Sequence, residues 1–169
     1  MTTAIAIGRP AAPGLSGGVA GSLLGALGLR GLVRGGLIMM ATAFCNGGAG
    51  IITNRVIQAG TQPKWLGWGT GTNAAAVTDA ALQTEAAPTT GGGRTAATES
   101  RTTVTNANDN LQYQGAIIAT AGLSITEAGA FDAATAGNLL LRSVFGVVTV
   151  AINDAVQLTF GLKFVPSVT

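Results

Sequence analysis

Near the end of the chain Val156, Leu158, Phe160, Leu162 and Phe164 alternate with Gln157, Thr159, Gly161 and Lys163. A period of two predicts a β-strand with one buried face, here over Ala155 to Phe164. Shorter apolar runs bounded by glycine and polar residues predict further strands over Ile51–Ala59, Pro63–Trp68, Thr95–Asn106, Leu111–Thr120 and Ser124–Phe131, and over Leu139–Val150 with a break near Gly146. Gly69 to Asn73, Pro88 to Arg94, Asn106 to Asn110, Asp132 to Asn138 and Asn153-Asp154 carry turn residues between them. Ala74 to Glu85 reads as a short helix or a turn. Many short strands with regular punctuation and little helix predict a mainly β fold, an antiparallel β-sandwich of the jelly-roll or immunoglobulin-like kind.

The first fifty residues have a different texture. They hold thirteen of the 26 glycines, all three methionines, Arg9, Arg30 and Arg34, and no acidic residue. Side-chain charge is +3 over residues 1–40, which leaves −1 for residues 41–169 out of the total of +2. We therefore divide the chain into an extended, glycine-rich assembly arm, residues 1–50, and a sandwich body, residues 51–169. Within the arm an uncharged run of sixteen residues, 14–29, places Gly17, Gly21 and Gly25 at the four-residue spacing that lets helices approach closely. The run is shorter than the roughly 20 residues that span a bilayer, and Arg30 and Arg34 interrupt the apolar stretch, which argues against a membrane span. A secretory signal is disfavoured by the order of its parts, because the arginines stand between the apolar run and Ala41-Thr42-Ala43.

Composition sharpens the functional question. Hydrophobic residues make up 47% of the chain and charged residues only 9%, against about 25% charged in ordinary soluble domains. A surface so poor in charge is weakly protected against self-association, so the chain is expected to bury much of it against other protein. Histidine is absent, which removes the commonest general acid or base and the commonest zinc ligand. The seven acidic residues, Asp79, Glu85, Glu99, Asp109, Glu127, Asp132 and Asp154, show no metal-binding or calcium-loop spacing. Cys45 is a lone cysteine without a histidine partner and reads as a small buried hydrophobe. No catalytic residue, cofactor or metal is expected.

Two glycine-rich stretches, Gly67-Trp68-Gly69-Thr70-Gly71-Thr72 and Gly91-Gly92-Gly93, lack the spacing or the lysine of a phosphate cradle and read as turns. Trp65 and Trp68 lie three apart, so a regular strand sends their rings to opposite faces. That arrangement suits one ring in the core and one at a contact between subunits better than a stacking platform for bases. The partner-binding candidates are these two tryptophans with Arg9, Arg30 and Arg34. Three arginines in forty residues suit docking on an acidic protein surface and are few for nucleic acid, and sequence-specific nucleic-acid binding is not expected.

The segments WLGWGTGTNAAAVTDAALQTE, ESRTTVTNANDNLQYQGAIIATAGLSITEAGAFDAATAGNLLLRSVF and NDAVQLTFGLKF together resemble a β-rich module of small virion proteins of tailed bacteriophages. The likeness centres on Ile125 to Asp132 followed by Gly137 to Arg142, with Ala130 standing where that pattern carries a larger apolar residue. It implies a non-enzymatic virion subunit assembled in the host cytoplasm: a capsid decoration or cement protein, trimeric, held by its arm to the major capsid protein or to neighbouring subunits. A tail, neck or fibre component is the alternative on the same module, and a membrane-associated protein using the glycine-spaced run is a third. From strand geometry Ile125, Glu127, Gly129 and Phe131 share a face, which sets Glu127 among core positions in need of a partner. Arg142, across the Asp132–Asn138 turn, is the expected partner, and the pair is expected to brace that turn.

Overall fold

A computed structural model describes residues 41–165. In chain order they form β1 (Ala41–Phe44), helix α1 (Asn46–Val56), β2 (Trp65–Gly69), β3 (Thr95–Ala96), β4 (Thr98–Thr102), β5 (Asn110–Ile118), β6 (Leu123–Phe131), β7 (Leu139–Val150) and β8 (Ala155–Lys163). The strands form a five-stranded sheet, ordered β1-β7-β6-β2-β3, and a three-stranded sheet, ordered β4-β5-β8, with every pairing antiparallel. The fold is mainly β, as the alternation predicts.

The two sheets share one apolar core. Leu66, Trp68, Ile125, Ala128 and Ala130 come from the larger sheet, and Tyr113, Ile117, Val156, Leu158, Phe160 and Leu162 from the smaller. On β8 the four apolar residues of the period-two pattern are all buried, and Tyr113 stands opposite Phe160 in the β5 register. Trp68 is the largest fully buried side chain, and its indole N–H donates to the carbonyl of Gly91 at 3.0 Å, which satisfies its one polar atom. Truncating a residue so placed costs about 3–5 kcal/mol.

Two expectations change. Ile51–Ala59 is not a strand: α1 covers Asn46–Val56 and ends where Gln58 and Gly60 take positive φ angles of 59° and 70°. Its β-branched residues favour a strand locally, but contacts with the rest of the fold override that preference. Gly48 and Ile51 are buried at a spacing of three, and a Cβ on Gly48 would stand 2.7 Å from the carbonyl oxygen of Leu140, so only glycine lets the helix sit this close to β7. The boundary at residue 50 also moves. Residues 41–44 pair with β7 from Val144 to Leu141, the Cys45 N–H donates to Leu140, and Cys45 itself is fully buried, so 41–50 belong to the body. The rest of the arm, with Arg9, Arg30 and Arg34 and the glycine-spaced run, lies outside the described residues. Among the described residues no helix is long and apolar enough to cross a membrane.

Candidate functional site

The pairing of β6 with β7 is irregular between Ile125 and Glu127. The alternation of faces slips there. Ile125 joins Ala128 and Ala130 in the core between the sheets, whereas Thr126 and Glu127 both reach the 70–85 loop, which lies over the other face of the larger sheet. Gly129 and Phe131 share that second face, against Leu82 and Leu139. Ile125 therefore does not share a face with Glu127, Gly129 and Phe131, because the expected regular register is interrupted.

Glu127 is 0% exposed. Its Oε1 accepts the backbone N–H groups of Gly71 at 3.1 Å and Thr84 at 2.7 Å, and its Oε2 accepts that of Gln83 at 3.0 Å. Oε2 also lies 2.9 Å from both Nε and Nη2 of Arg142. Arg142 is itself 2% exposed and continues outward, with Nη1 2.8 Å from Oδ2 of Asp79 and with further bonds to the carbonyls of Asn73 and Ala74. One carboxylate and one guanidinium thus tie both ends of the 70–85 loop to the middle of the sheet. Each polar atom of the pair has partners, the condition under which a buried ion pair is tolerated.

Electrostatics follow this geometry. Burial alone would raise the Asp79 carboxyl, but the Ala76 N–H and the Arg142 guanidinium outweigh it and hold the group below its usual range. Burial likewise opposes the charge on Arg142, and Asp79 and Glu127 overcome it, so its pKa rises. Cys45 lies close to this cluster; burial, reinforced by Asp79, pushes its thiol up to about 11, consistent with a packed and unreactive side chain.

Glycine makes the close approach possible. A Cβ on Gly71 would lie 2.5 Å from both Gln83 Cβ and Glu127 Oε1, and one on Gly69 would collide with the Thr84 carbonyl. The Gly67–Thr72 stretch is therefore the floor on which the 83–85 segment rests, and Ala74 to Glu85 is an irregular loop without a helix.

The Glu127–Arg142 pair holds the 70–85 loop and does not brace the Asp132–Asn138 turn. That turn is closed by Asp132, whose carboxylate accepts the backbone and side-chain N–H groups of Asn138 at 2.6 and 2.9 Å. Arg94 supports it from outside: Nη1 donates to the carbonyls of Ala133 and Ala136, the guanidinium stacks 3.4 Å from the Phe131 ring centroid, and Nε and Nη2 grip Glu85. The roles of Asp79, Glu85 and Arg94 escaped sequence reasoning, because each works across a separation that no local motif records. The Asp132 to Asn138 spacing, with Gly137 at φ 73°, is the one signal that marked its turn.

The two tryptophans separate as strand geometry requires. Trp65 is half-buried on the face that carries Phe131, Leu139 and Leu82 and keeps some exposed surface. Trp68 is completely buried and presents nothing to a partner, so it leaves the set of partner-binding candidates.

All seven acidic side chains are engaged by the fold. Besides those above, Asp109 accepts three backbone N–H groups, those of Val104, Thr105 and Asn106; Asp154 accepts that of Ala151; and Glu99 accepts the Gln62 amide. Among the described residues no three metal-ligating side chains gather. Beside Arg94 a cleft of about 290 Å³ is lined by Glu85, Pro88, Gly93 and Ala134 among others, with both of its charged groups committed to each other. What the arrangement does chemically is anchor loops. Comparison of the chain with family models, with curated proteins and with solved structures returned no match.

Proposed function

We propose that this chain is a structural subunit of a tailed-phage virion, a capsid decoration or cement protein that stabilises the head lattice through its β body and its N-terminal arm. The observation that carries the reading is the inward commitment of charge. Every acidic side chain holds a loop of its own fold, and Arg94 and Arg142 are spent on the same task. Apart from the basic residues Arg55, Lys64 and Arg101, the exposed surface is mostly threonine, alanine, asparagine and glutamine with scattered aliphatic residues, among them Ile118, Val147 and Ile152, each more than half exposed. Such a surface suits permanent contact with neighbouring protein better than life as a free monomer.

The finer fold assignment belongs to the same proposal. β6 and β7 form a hairpin in one sheet while the strands that flank them in sequence, β5 and β8, pair in the other. Nesting of this kind favours the jelly-roll over the immunoglobulin-like sandwich. Arg9, Arg30 and Arg34 of the arm, with the exposed part of Trp65, are the contacts we assign to the major capsid protein or to adjacent subunits, and three-fold self-association is the expected oligomer. Cryo-electron microscopy of the particle tests the reading. Three-fold clusters of this body on the icosahedral lattice support it, rings or spikes on a single axis would make the chain a tail, neck or fibre component, and absence from the particle would overturn both.

A further inference from the structure

The exposed cations of the body gather at one place. Helix α1 ends at Arg55 and Val56, the chain turns through Gly60, and Lys64 leads into β2, while Glu99 and Arg101 come from β4. Particular contacts hold these pieces together. Arg55 Nη1 donates to the Gly60 carbonyl at 3.3 Å, the Gln62 amide donates to Glu99, and the Lys64 carbonyl accepts the Ala97 N–H at 2.7 Å, one residue before β4 begins. Burial raises the Glu99 carboxyl while Lys64 and Arg55 pull it back, so both cations stand close enough to act on its charge. Arg101 follows Glu99 by two residues and therefore shares its face of β4. Arg55, Lys64 and Arg101 are exposed, and none of them forms an ion pair among the described residues. Three cations against one partly buried carboxylate leave +2 here. The other cations of the body, Arg94, Arg142 and Lys163, stand against six carboxylates, which leaves −3 over the rest of it.

The same spot carries apolar surface. Val56 and Ile57, next in the chain to Arg55, are 78% and 70% exposed, the highest values among the large hydrophobic side chains described. An apolar centre edged by charge is the make-up of a protein contact. We propose that the end of α1, Lys64 and β4 form a docking surface on the body for an acidic segment of another protein, one that sets carboxylates beside an aliphatic or aromatic side chain. The apolar group covers Val56 and Ile57, and the carboxylates meet Arg55, Lys64 and Arg101, which orients the segment and excludes basic competitors. Nucleic acid fits less well: three cations are few for a phosphate backbone, the −3 of the remaining body repels a polyanion, and Val56 and Ile57 have no use there. This surface is distinct from the arm. It goes beyond the assembly reading, because it belongs to the folded body whatever particle the chain enters.

The experiment titrates the isotopically labelled full chain with a short synthetic peptide of leucine and glutamate and follows the backbone amides by NMR. Shifts centred on residues 53–64 and 98–102 are expected; shifts centred elsewhere, or none, would overturn the proposal. Replacing glutamate by glutamine in the peptide, or Lys64→Glu with Arg101→Glu in the protein, should weaken binding about tenfold or more, and Ile57→Ser should weaken it as well. Equal binding by the variants would contradict the assigned contacts. All the substituted side chains are exposed, so the variants are expected to melt like wild type, and the wild-type shift map decides alone for any that does not. Tighter binding of a DNA duplex or of phosphatidylserine vesicles than of the peptide would assign the cations to phosphate and sink the protein partner. The titration uses the free chain, so it and the map of the particle fail separately: a docked peptide with no chain on the particle removes the virion role and leaves the surface.

Discussion

Glu127→Gln changes one atom type in a fully buried side chain and retains its shape. The substitution removes the charge that Arg142 faces at 2.9 Å and, in either amide orientation, turns an N–H₂ group toward backbone N–H donors that now meet an acceptor. Breaking one side of a buried ion pair costs about 3–5 kcal/mol. Arg142→Met removes the opposite member and leaves Glu127 and Asp79 facing a thioether, with a loss of the same order. If the two acted independently their combination would cost about 6–10 kcal/mol, a large share of the 5–15 kcal/mol that stabilises a typical domain. Because they act on one another, the double variant is expected to fall short of that sum by about 1–3 kcal/mol. Urea denaturation of the four proteins measures the coupling directly, and with about 3–5 °C per kcal/mol for a body of this size each single variant is expected to melt about 10–20 °C lower. Strictly additive losses would show that the pair does not carry the loop. Limited proteolysis adds a spatial check: cleavage in both single variants should begin within residues 70–85, and first cleavage at the 132–138 turn would contradict the anchoring described above.

Four further outcomes follow from particular contacts. Gly71→Ala should destabilise the body by about 1–3 kcal/mol through overpacking against Gln83 and Glu127, and thermal melting reads it. Acid should unfold the protein from about pH 4 downward. The N–H groups of Asn106, Val104 and Thr105 hold Asp109 below its ordinary value, and Asp79 is lowered against the pull of burial, so the stability they contribute is present above the unfolded carboxyl range and is lost as pH falls through their folded values. Glu99 runs the other way, since burial raises it against the pull of Gln62, Lys64 and Arg55; charging it costs stability as pH rises, and Glu99→Gln should stabilise the protein at neutral pH, as melting across a pH series would reveal. Deleting residues 1–40 should leave melting intact while occupancy on particles lacking the native copy falls, whereas deleting 1–50 also removes β1, the buried Cys45 and the first turn of α1, uncovers Leu140, and should lower the melting temperature.

Local pattern carried most of the sheets. The alternation of β8, the turn residues around β6 and β7 and the opposite faces of Trp65 and Trp68 are properties of short segments, and each appears in the fold where periodicity puts it. Helix α1 was illegible for the converse reason: Ile51, Ile52 and Val56 favour a strand, and what selects the helix is the close seat of Gly48 on β7, some ninety residues away in sequence. The need of Glu127 for a partner could be read from its apolar neighbours, and Arg142 lies near enough in sequence to suggest itself. The load that the pair bears could not, because the loop of residues 70–85 bonds to β6 through its own backbone, three N–H groups on Glu127 and the Gly71 carbonyl on Thr126, which any sequence supplies. Phe131 as a platform for Arg94 is likewise a tertiary fact without a local signature.

The central proposal, that the chain is a repeated structural subunit of a virion, is tested most directly by quantitative mass spectrometry of purified phage particles. The account predicts its peptides at a fixed stoichiometry to the major capsid protein, retained after washing in high salt because salt screens the three arginine contacts of the arm but leaves the apolar contacts in place. Peptides present only in trace amounts, or removed entirely by the wash, would contradict it.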